Sequence, residues 1–120
     1  MKTPKIEIAK IEGDNYNVAY KVVTSDMKSL GLRKNPHIIT YEFNEWLWLS
    51  SENVEKGNGD FGGIWAARTP GGARKYQKYM VDKYGQETLA FKSLIGKVLY
   101  VNSGRVKTDG ICLIERMNLM

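Results

Sequence analysis

Two glycines and two arginines surround a predicted helix start in the stretch Arg68-Thr-Pro-Gly-Gly-Ala-Arg74. The first turn of a helix binds anions through its free backbone amides and the positive end of the helix dipole, and glycine lets a phosphate come close. The pattern therefore predicts an anion site, with the loop 51–60 beside it. The residues predicted to form this site are Arg68, Thr69, Gly71, Gly72, Arg74 and Lys78. The alternative is that the glycines only let the helix pack closely on a sheet.

Aromatic residues interleaved with basic ones form a second candidate surface. Trp46, Trp48 and Trp65 are side chains on which nucleic acid bases could stack, while nearby lysines and arginines meet phosphates. Tryptophans that alternate along a strand also commonly fill protein cores. Since Trp46 and Trp48 share one face of a predicted strand, we expect them to be buried together or exposed together.

Several kinds of catalytic or metal site are excluded by composition. The chain has one histidine, His37, and one cysteine, Cys112, so it lacks the ligands of a structural zinc site. No nucleophile elbow surrounds any serine. The glycine-rich stretch 57–63 leads into a strand without the GK[ST] signature of a phosphate-binding P-loop. We therefore predict no metal and no cofactor, and Cys112, which lies in an apolar run, is expected to be buried.

The composition is that of a small globular protein. The chain has 120 residues, of which 42% are apolar and 26% charged, and these values predict a single domain over residues 1–120. The net charge of +5 favours polyanionic partners. No stretch reaches the roughly 20 apolar residues that span a bilayer, so we expect a cytoplasmic protein with no membrane partner. The sequence leaves the oligomeric state open.

The clearest predicted element is a long amphipathic helix over residues 69–84. Thr69 is a suitable N-cap, Pro70 fits the first helical position, and Gly85 suits a left-handed C-cap. The predicted apolar stripe of this helix consists of Ala73, Tyr76, Met80, Val81 and Tyr84.

The remaining elements are predicted strands and one short helix. Apolar runs bounded by turn residues predict about seven short strands, over residues 5–11 and 16–24, two within 37–49, and over 61–68, 87–94, 95–102 and 110–115. Ser25-Asp26 before Met27 predicts a short helix over about residues 25–31. The fold class is therefore α+β, with a mainly antiparallel sheet.

Short motifs along the chain resemble those of small uncharacterised domains from bacteria and their phages. The motifs are Ala19-Tyr20-Lys21-Val22-Val23, Tyr41-Glu42-Phe43, Gly63-Ile64-Trp65-Ala66-Ala67, Ala73 with Tyr76 and Tyr79, and Ile95-Gly96-Lys97-Val98 ahead of Val106-Lys107-Thr108-Asp109-Gly110-Ile111. The resemblance implies a phage or mobile-element setting and provides no active site to transfer. Trp65 and Ala67 stand where that pattern has histidine and cysteine.

More remotely, the order of elements is similar to that of ADP-ribosyltransferase-like folds. The resemblance implies that Lys21, Thr69 with Tyr76, and Glu115 or Glu87 would take the places of the catalytic residues. Lys21 departs from the histidine or arginine of that pattern.

Together these features predict a protein of a phage or mobile element that acts by binding, without catalysis. Its expected partner is a host protein, a nucleic acid or a nucleotide-like anion. Two alternatives remain open: an ADP-ribosyltransferase-like enzyme that uses NAD, and a structural or assembly protein with a flat exposed apolar patch.

Overall fold

The computed structural model describes residues 4–31, 38–59 and 61–117 of the chain, so His37 lies outside the described residues. The described residues form an antiparallel sheet of eight strands, one α-helix and a 3-10 turn at Ser51–Asn53. This architecture confirms the predicted α+β class with a mainly antiparallel sheet. The strands are β1 (Glu7–Ile11), β2 (Asp14–Thr24), β3 (Trp46–Trp48), β4 (Ile64–Ala67), β5 (Thr88–Ile95), β6 (Val98–Val101), β7 (Arg105–Thr108) and β8 (Gly110–Met117), and the helix is α1 (Pro70–Tyr84).

The sheet curls back on itself. Its strand order is β3-β8-β5-β2-β4-β7-β6, and β1 pairs with the first part of β2. Strands β7 and β8 lie near opposite ends of this order, yet only Asp109 separates them along the chain. The ends of the sheet must therefore approach each other, as in a small barrel, and the twist of antiparallel strands favours such closure.

The inner face of the curled sheet holds the larger core cluster. Side chains alternate along each strand, so every second residue points inward. The buried members are Ala19, Val23, Tyr41, Ile64, Ala66, Phe91, Ile95, Val106, Ile111 and Leu113. A second cluster, on the outer face, includes Val18, Val22, Ala67 and Leu94 and is covered by α1. Cys112 belongs to it and is buried, as its apolar surroundings in the sequence predict.

Both predicted caps of α1 are confirmed. The hydroxyl of Thr69, an extended residue, accepts a hydrogen bond from the amide of Gly72 at 3.1 Å. Gly85 adopts a left-handed conformation with φ of 63°, and its amide donates to the carbonyl of Val81 at 2.9 Å. The termini of α1 are thus fixed by local interactions that the sequence encodes directly.

The apolar stripe of α1 is narrower than predicted. Ala73 and Met80 are buried and Tyr76 is half-buried, whereas Val81 and Tyr84 are exposed. Successive helical residues are about 100° apart, so Val81 points away from the sheet that Met80 contacts. Tyr84 lies in the last turn, where it lines the edge of a cleft.

The short helix predicted over about residues 25–31 is wrong. Met27 has a positive φ of 66°, and Lys28 forms an isolated β-bridge with Thr40. The amide of Ser29 donates to the carbonyl of Ile39, and the amide of Tyr41 donates to the carbonyl of Met27. Pairing with a distant segment therefore replaces the helical hydrogen bonds that the local pattern suggested.

The side chains of Thr24 and Asp26 hold this turn in place of a helix cap. The Thr24 hydroxyl donates to the Asp26 carboxylate and accepts from the amide of Lys28 at 3.0 Å. The bond to Thr24 is the main reason that the pKa of Asp26 lies below its usual range. Such short polar side chains satisfy backbone groups in turns as readily as at helix starts.

The sequence prediction missed strand β7, because it assigned turns to Ser103-Gly104 and Thr108-Asp109-Gly110 and no strand between them. Strand β7 has four residues, of which Arg105 is half-buried and Lys107 is fully buried. These side chains lie against the Trp65 ring, and this tertiary contact makes a charged strand stable here.

Candidate ligand-binding cleft

The cleft arises where β2 and β4 move apart. Strand β2 pairs with β5 from Asn17 to Thr24 but with β4 only through Tyr20 and Ala67. Beyond Tyr20, the edge of β4 that faces β2 is open. The ammonium of Lys21 reaches across this gap and donates to the carbonyl oxygen of Trp65 at 2.7 Å. A side chain thus satisfies a carbonyl that has no partner from β2.

We call the resulting space the α1 cleft, because α1 forms one wall. Its other walls are β4, residues 29–31 and 38–41, and the β6–β7 turn. The volume of the cleft is about 1250 Å³, which is larger than the volume of most small-molecule pockets. The space is open to solvent, so a ligand could enter without any rearrangement of the strands.

The charged side chains among the described lining residues of the α1 cleft are all basic. Four basic side chains and five aromatic ones contribute to its walls, and the described lining residues include no aspartate or glutamate. The basic residues are Lys21, Lys75, Lys83 and Arg105, and the aromatic residues are Tyr41, Trp65, Tyr76, Tyr79 and Tyr84. The cleft therefore combines cations for an anionic group with rings that can stack on a planar one.

Lys21 is the most unusual of these cations. Only 8% of its surface is exposed, and it lies between inward-facing Ala19 and Val23 on β2. Its contacts within the described part of the chain are the Trp65 carbonyl and the face of the Tyr41 ring, 5.3 Å away. No carboxylate among the described residues pairs with this ammonium, so the carbonyl, the ring and water of the open cleft take the place of bulk hydration. An anion in the cleft would be a stronger partner for the charge than that water.

Trp65 lies between the cleft and a second buried lysine. The guanidinium of Arg105 lies 3.9 Å from the Trp65 ring centroid, and Tyr100 meets the ring edge-on at 6.0 Å. Lys107 is fully buried and donates to the carbonyl of Gly57 at 3.1 Å. This bond ties the loop after β3 to β7 and fixes the far side of the cleft wall.

The last turns of α1 add an exposed aromatic and cationic cluster. The ammonium of Lys83 donates to the phenol oxygen of Tyr79 at 3.0 Å and lies over the rings of Tyr79 and Tyr84. The hydrogen bond to Tyr79 is the main cause that raises the pKa of Lys83. Lys83 therefore remains cationic at the rim of the cleft.

At the predicted anion site at the start of α1, the side chains of Arg68 and Thr69 form hydrogen bonds with the backbone of the protein. Arg68 donates to the carbonyls of Ser103 and Lys5, at 3.0 and 2.8 Å. The Thr69 hydroxyl accepts a hydrogen bond from the Gly72 amide. A Cβ atom added at Gly72 would lie 3.3 Å from the Cβ of Ala67. The close approach to Ala67 supports the alternative given above, in which glycine at position 72 lets α1 pack closely on β4. Of the predicted residues, Gly72 also lines the α1 cleft.

The other members of the predicted site lie on the outer surface of α1. Lys78 forms an ion pair with Asp82 at 2.6 Å, which raises its pKa, and both side chains are exposed. Gly71 and Arg74 are exposed as well, and neither lines the α1 cleft. The basic and aromatic side chains of α1 that line the cleft therefore differ from the predicted residues Gly71, Arg74 and Lys78.

The three tryptophans lie in two separate places. Trp65 is half-buried in the wall of the α1 cleft. Trp46 and Trp48 stack on each other with ring centroids 4.7 Å apart, but Trp46 is half-buried while 57% of Trp48 is exposed. The expectation that the pair would share one environment is therefore only partly met: Trp46 also packs against Tyr16, at 6.0 Å between ring centroids.

The residues suggested by the ADP-ribosyltransferase resemblance do not converge. Lys21 points to the inner face of the sheet, whereas Glu115 pairs with Lys92 on the outer face. Thr69 caps α1, and Glu87 is exposed just before β5. Tyr76 and Lys21 both line the α1 cleft, and neither glutamate is among its described lining residues.

The described residues contain neither a cluster of metal ligands nor a membrane-spanning helix. None of the histidine, cysteine, aspartate and glutamate side chains in residues 4–31, 38–59 and 61–117 group in threes as metal ligands would. Within the same ranges, no helix has the length and apolar character needed to cross a membrane. Comparison of the chain with protein-family models, curated proteins and solved structures found no match.

Arg105 is a binding candidate that the sequence prediction missed, and Lys21 entered the prediction only through the ADP-ribosyltransferase resemblance. One further signal for Lys21 was present: it interrupts the run Val18–Val23, in which both strand faces are apolar, and lysine is almost never fully buried unless it is paired. No such signal existed for Arg105, because its contact with Trp65 depends on the pairing of β4 with β7.

Proposed function

We propose that this protein binds a nucleotide-like anion in the α1 cleft, without catalysing a reaction on it. The observation that carries the proposal is the nearly buried ammonium of Lys21, which faces a large cleft with further cations and no described carboxylate. A phosphate bound near Lys21 would neutralise its charge. The setting in a phage or mobile element remains a prediction from the sequence resemblance.

The aromatic residues favour a ligand that also carries a planar ring. Tyr76 and Tyr79 lie one turn apart along α1 and both line the cleft, as does Trp65. Bases stack on such rings irrespective of their identity, with about 1–3 kcal/mol per base. A nucleotide combines this planar ring with a phosphate, whereas inorganic phosphate would use only the cations.

A titration with ATP, followed by tryptophan fluorescence, tests the proposal. We expect saturable binding to the wild type and at least about tenfold weaker binding to Lys21→Met, since a charge-assisted hydrogen bond contributes about 1.5 kcal/mol or more. The matched control is Lys78→Met, which removes an equal charge from the outer surface of α1. This control should bind ATP as the wild type does.

Further ligands separate the two halves of the proposed site. We expect pyrophosphate and adenosine each to bind more weakly than ATP and to compete with it. A single-stranded oligonucleotide that competes and binds more tightly than ATP would identify the ligand as a nucleic acid strand. Absence of ATP binding at millimolar concentration, or equal loss in Lys21→Met and Lys78→Met, would overturn the proposal.

A further inference from the structure

The α1 cleft has a buried inner end and an exposed rim. Lys21, Tyr41 and Ile64 line the inner end, where 8%, 3% and 2% of their surfaces are exposed. Tyr79 and Tyr84 of α1 line the rim, where 42% and 54% of their surfaces are exposed. Because buried residues of the sheet enclose the inner end, a long ligand cannot pass through it. Only the end of such a ligand can reach the Lys21 ammonium.

The ammonium of Lys21 has hydrogen-bond donors left over at this inner end. An ammonium carries three donors, and the Trp65 carbonyl accepts from one of them at 2.7 Å. Within the described part of the chain, the only other contact of the ammonium is with the Tyr41 ring. A terminal phosphate carries a charge of about −1.5 to −2 near pH 7, whereas a phosphate inside a nucleic acid strand carries a single charge. The terminal phosphate is therefore the stronger partner for Lys21.

Two lysines of α1 extend the positive charge from the cleft along its rim. Lys75 and Lys83 are exposed, and both line the cleft. They are separated by about 12 Å along the helix axis, so they can contact different phosphates of one strand. No acidic side chain is among the described lining residues, so none repels a polyanion there. The volume of about 1250 Å³ leaves room for more than one nucleotide.

We propose that the α1 cleft binds the phosphorylated end of a single nucleic acid strand. The terminal phosphate bonds to Lys21, and the following phosphates contact Lys75 and Lys83. This inference rests on the function proposed above and extends it, because the nucleotide at the inner end becomes the last nucleotide of a strand. The exposed tyrosines of the rim offer apolar surface to bases of any sequence.

The rim disfavours a phosphopeptide as the ligand. A phosphotyrosine side chain would bring one phosphate to Lys21, but the peptide backbone beyond it is uncharged. Lys75 and Lys83 would then have no anionic partner on the ligand. A nucleic acid strand carries one negative charge for each nucleotide, which matches a row of cations that leads outward from the inner end.

The test compares three oligothymidylates of about ten nucleotides, which fits the size of single-strand binding sites. One carries a 5′-phosphate, one carries a 3′-phosphate, and one has hydroxyls at both ends. Fluorescence anisotropy of a dye on an internal base measures binding to the wild type. We expect at least one phosphorylated strand to bind about tenfold more tightly than the hydroxyl-ended strand, because the terminal dianion forms a charge-assisted hydrogen bond with Lys21. The tighter of the two phosphorylated strands identifies which end is bound.

Three kinds of variant separate the inner end from the rim. Lys21→Met should remove the preference, so that the three strands bind equally. Lys75→Met and Lys83→Met should weaken binding of all three strands and keep the preference. Lys78→Met is the matched control, because it removes an equal charge outside the cleft and should bind as the wild type does.

Equal affinity of the wild type for the three strands would overturn the inference. ATP binding that depends on Lys21 would then leave the function proposed above intact. Tighter binding of a phosphotyrosine peptide than of either phosphorylated strand would also overturn the inference. If neither ATP nor any of the strands binds, both proposals are wrong. These comparisons use the wild type, so they decide the question even if Lys21→Met does not fold.

Discussion

The guanidinium of Arg105 lies over the ring of Trp65, with its central carbon 3.9 Å from the ring centroid. The two residues are neighbours across the β4–β7 pairing, where Ala67 faces Arg105 and Trp65 faces Lys107. Arg105 therefore stabilises the cleft wall and at the same time presents a positive charge to the cleft. Five predictions follow from this and similar contacts.

Replacement of Arg105 by alanine should loosen the cleft wall. A cation–π contact at a partly exposed site contributes about 0.5–1 kcal/mol, so we expect the free energy of unfolding to fall by that amount. Urea unfolding measures the loss. Acrylamide quenching in a background with Trp46→Phe and Trp48→Phe should show a more accessible Trp65. Unchanged quenching would contradict the stacking role.

Replacement of Lys21 by methionine should separate binding from stability. The substitution removes a buried charge while keeping a side chain of similar length, and water in the cleft can reach the Trp65 carbonyl. We therefore expect a free energy of unfolding at least equal to that of the wild type. ATP should raise the melting temperature of the wild type but not that of Lys21→Met. A large loss of stability would instead assign Lys21 a purely structural role.

Replacement of Thr69 by alanine removes the N-cap of α1. The amide of Gly72 would lose its acceptor, and such substitutions cost about 1 kcal/mol of folding free energy. Thr69→Ser keeps the hydroxyl and should retain most of that stability. Chemical denaturation of the three proteins distinguishes the cap from an effect of side-chain size. Equal loss in both variants would contradict the capping role.

Replacement of Gly110 by alanine should displace the Trp48 ring. The new Cβ would lie 2.1 Å from the ring, so either Trp48 or β8 must move. Overpacking of this kind costs about 1–3 kcal/mol. Gly59→Ala is the matched control, because nothing lies within 4 Å of the Cβ it would add. The indole resonance of Trp48 should shift in Gly110→Ala and stay in place in Gly59→Ala.

The stability of the protein should fall at alkaline pH because of Tyr20. Burial, together with a hydrogen bond to Glu7, raises the pKa of this phenol above its ordinary value. The neutral phenol is thus favoured in the folded state, so its contribution is fully present below the unfolded pKa of about 10 and declines as the pH rises further. Urea unfolding on both sides of that pH measures the decline. Tyr20→Phe should reduce the slope, whereas Tyr84→Phe, at an exposed position, should not.

The sequence by itself determined the α+β class and the limits of α1. The Thr69 cap, the Pro70 start and the Gly85 end depend on interactions within a few residues, so the local pattern was sufficient to place them. The alternation of β2 and β5 likewise predicted strands. The local pattern wrongly predicted a helix over about residues 25–31. Side chains such as Thr24 and Asp26 form the same kinds of hydrogen bond in a turn as at the start of a helix, so the pattern does not distinguish the two.

Only the tertiary structure decided where the cations and rings converge. Lys21 meets the Trp65 carbonyl across 44 residues of chain, in a gap that exists because β2 and β4 pair at a single position. Arg68, which the sequence predicts to bind an anion, donates hydrogen bonds to two backbone carbonyls. Such positions depend on strand order and divergence, which arise from packing between distant segments and leave no periodic signal in the sequence.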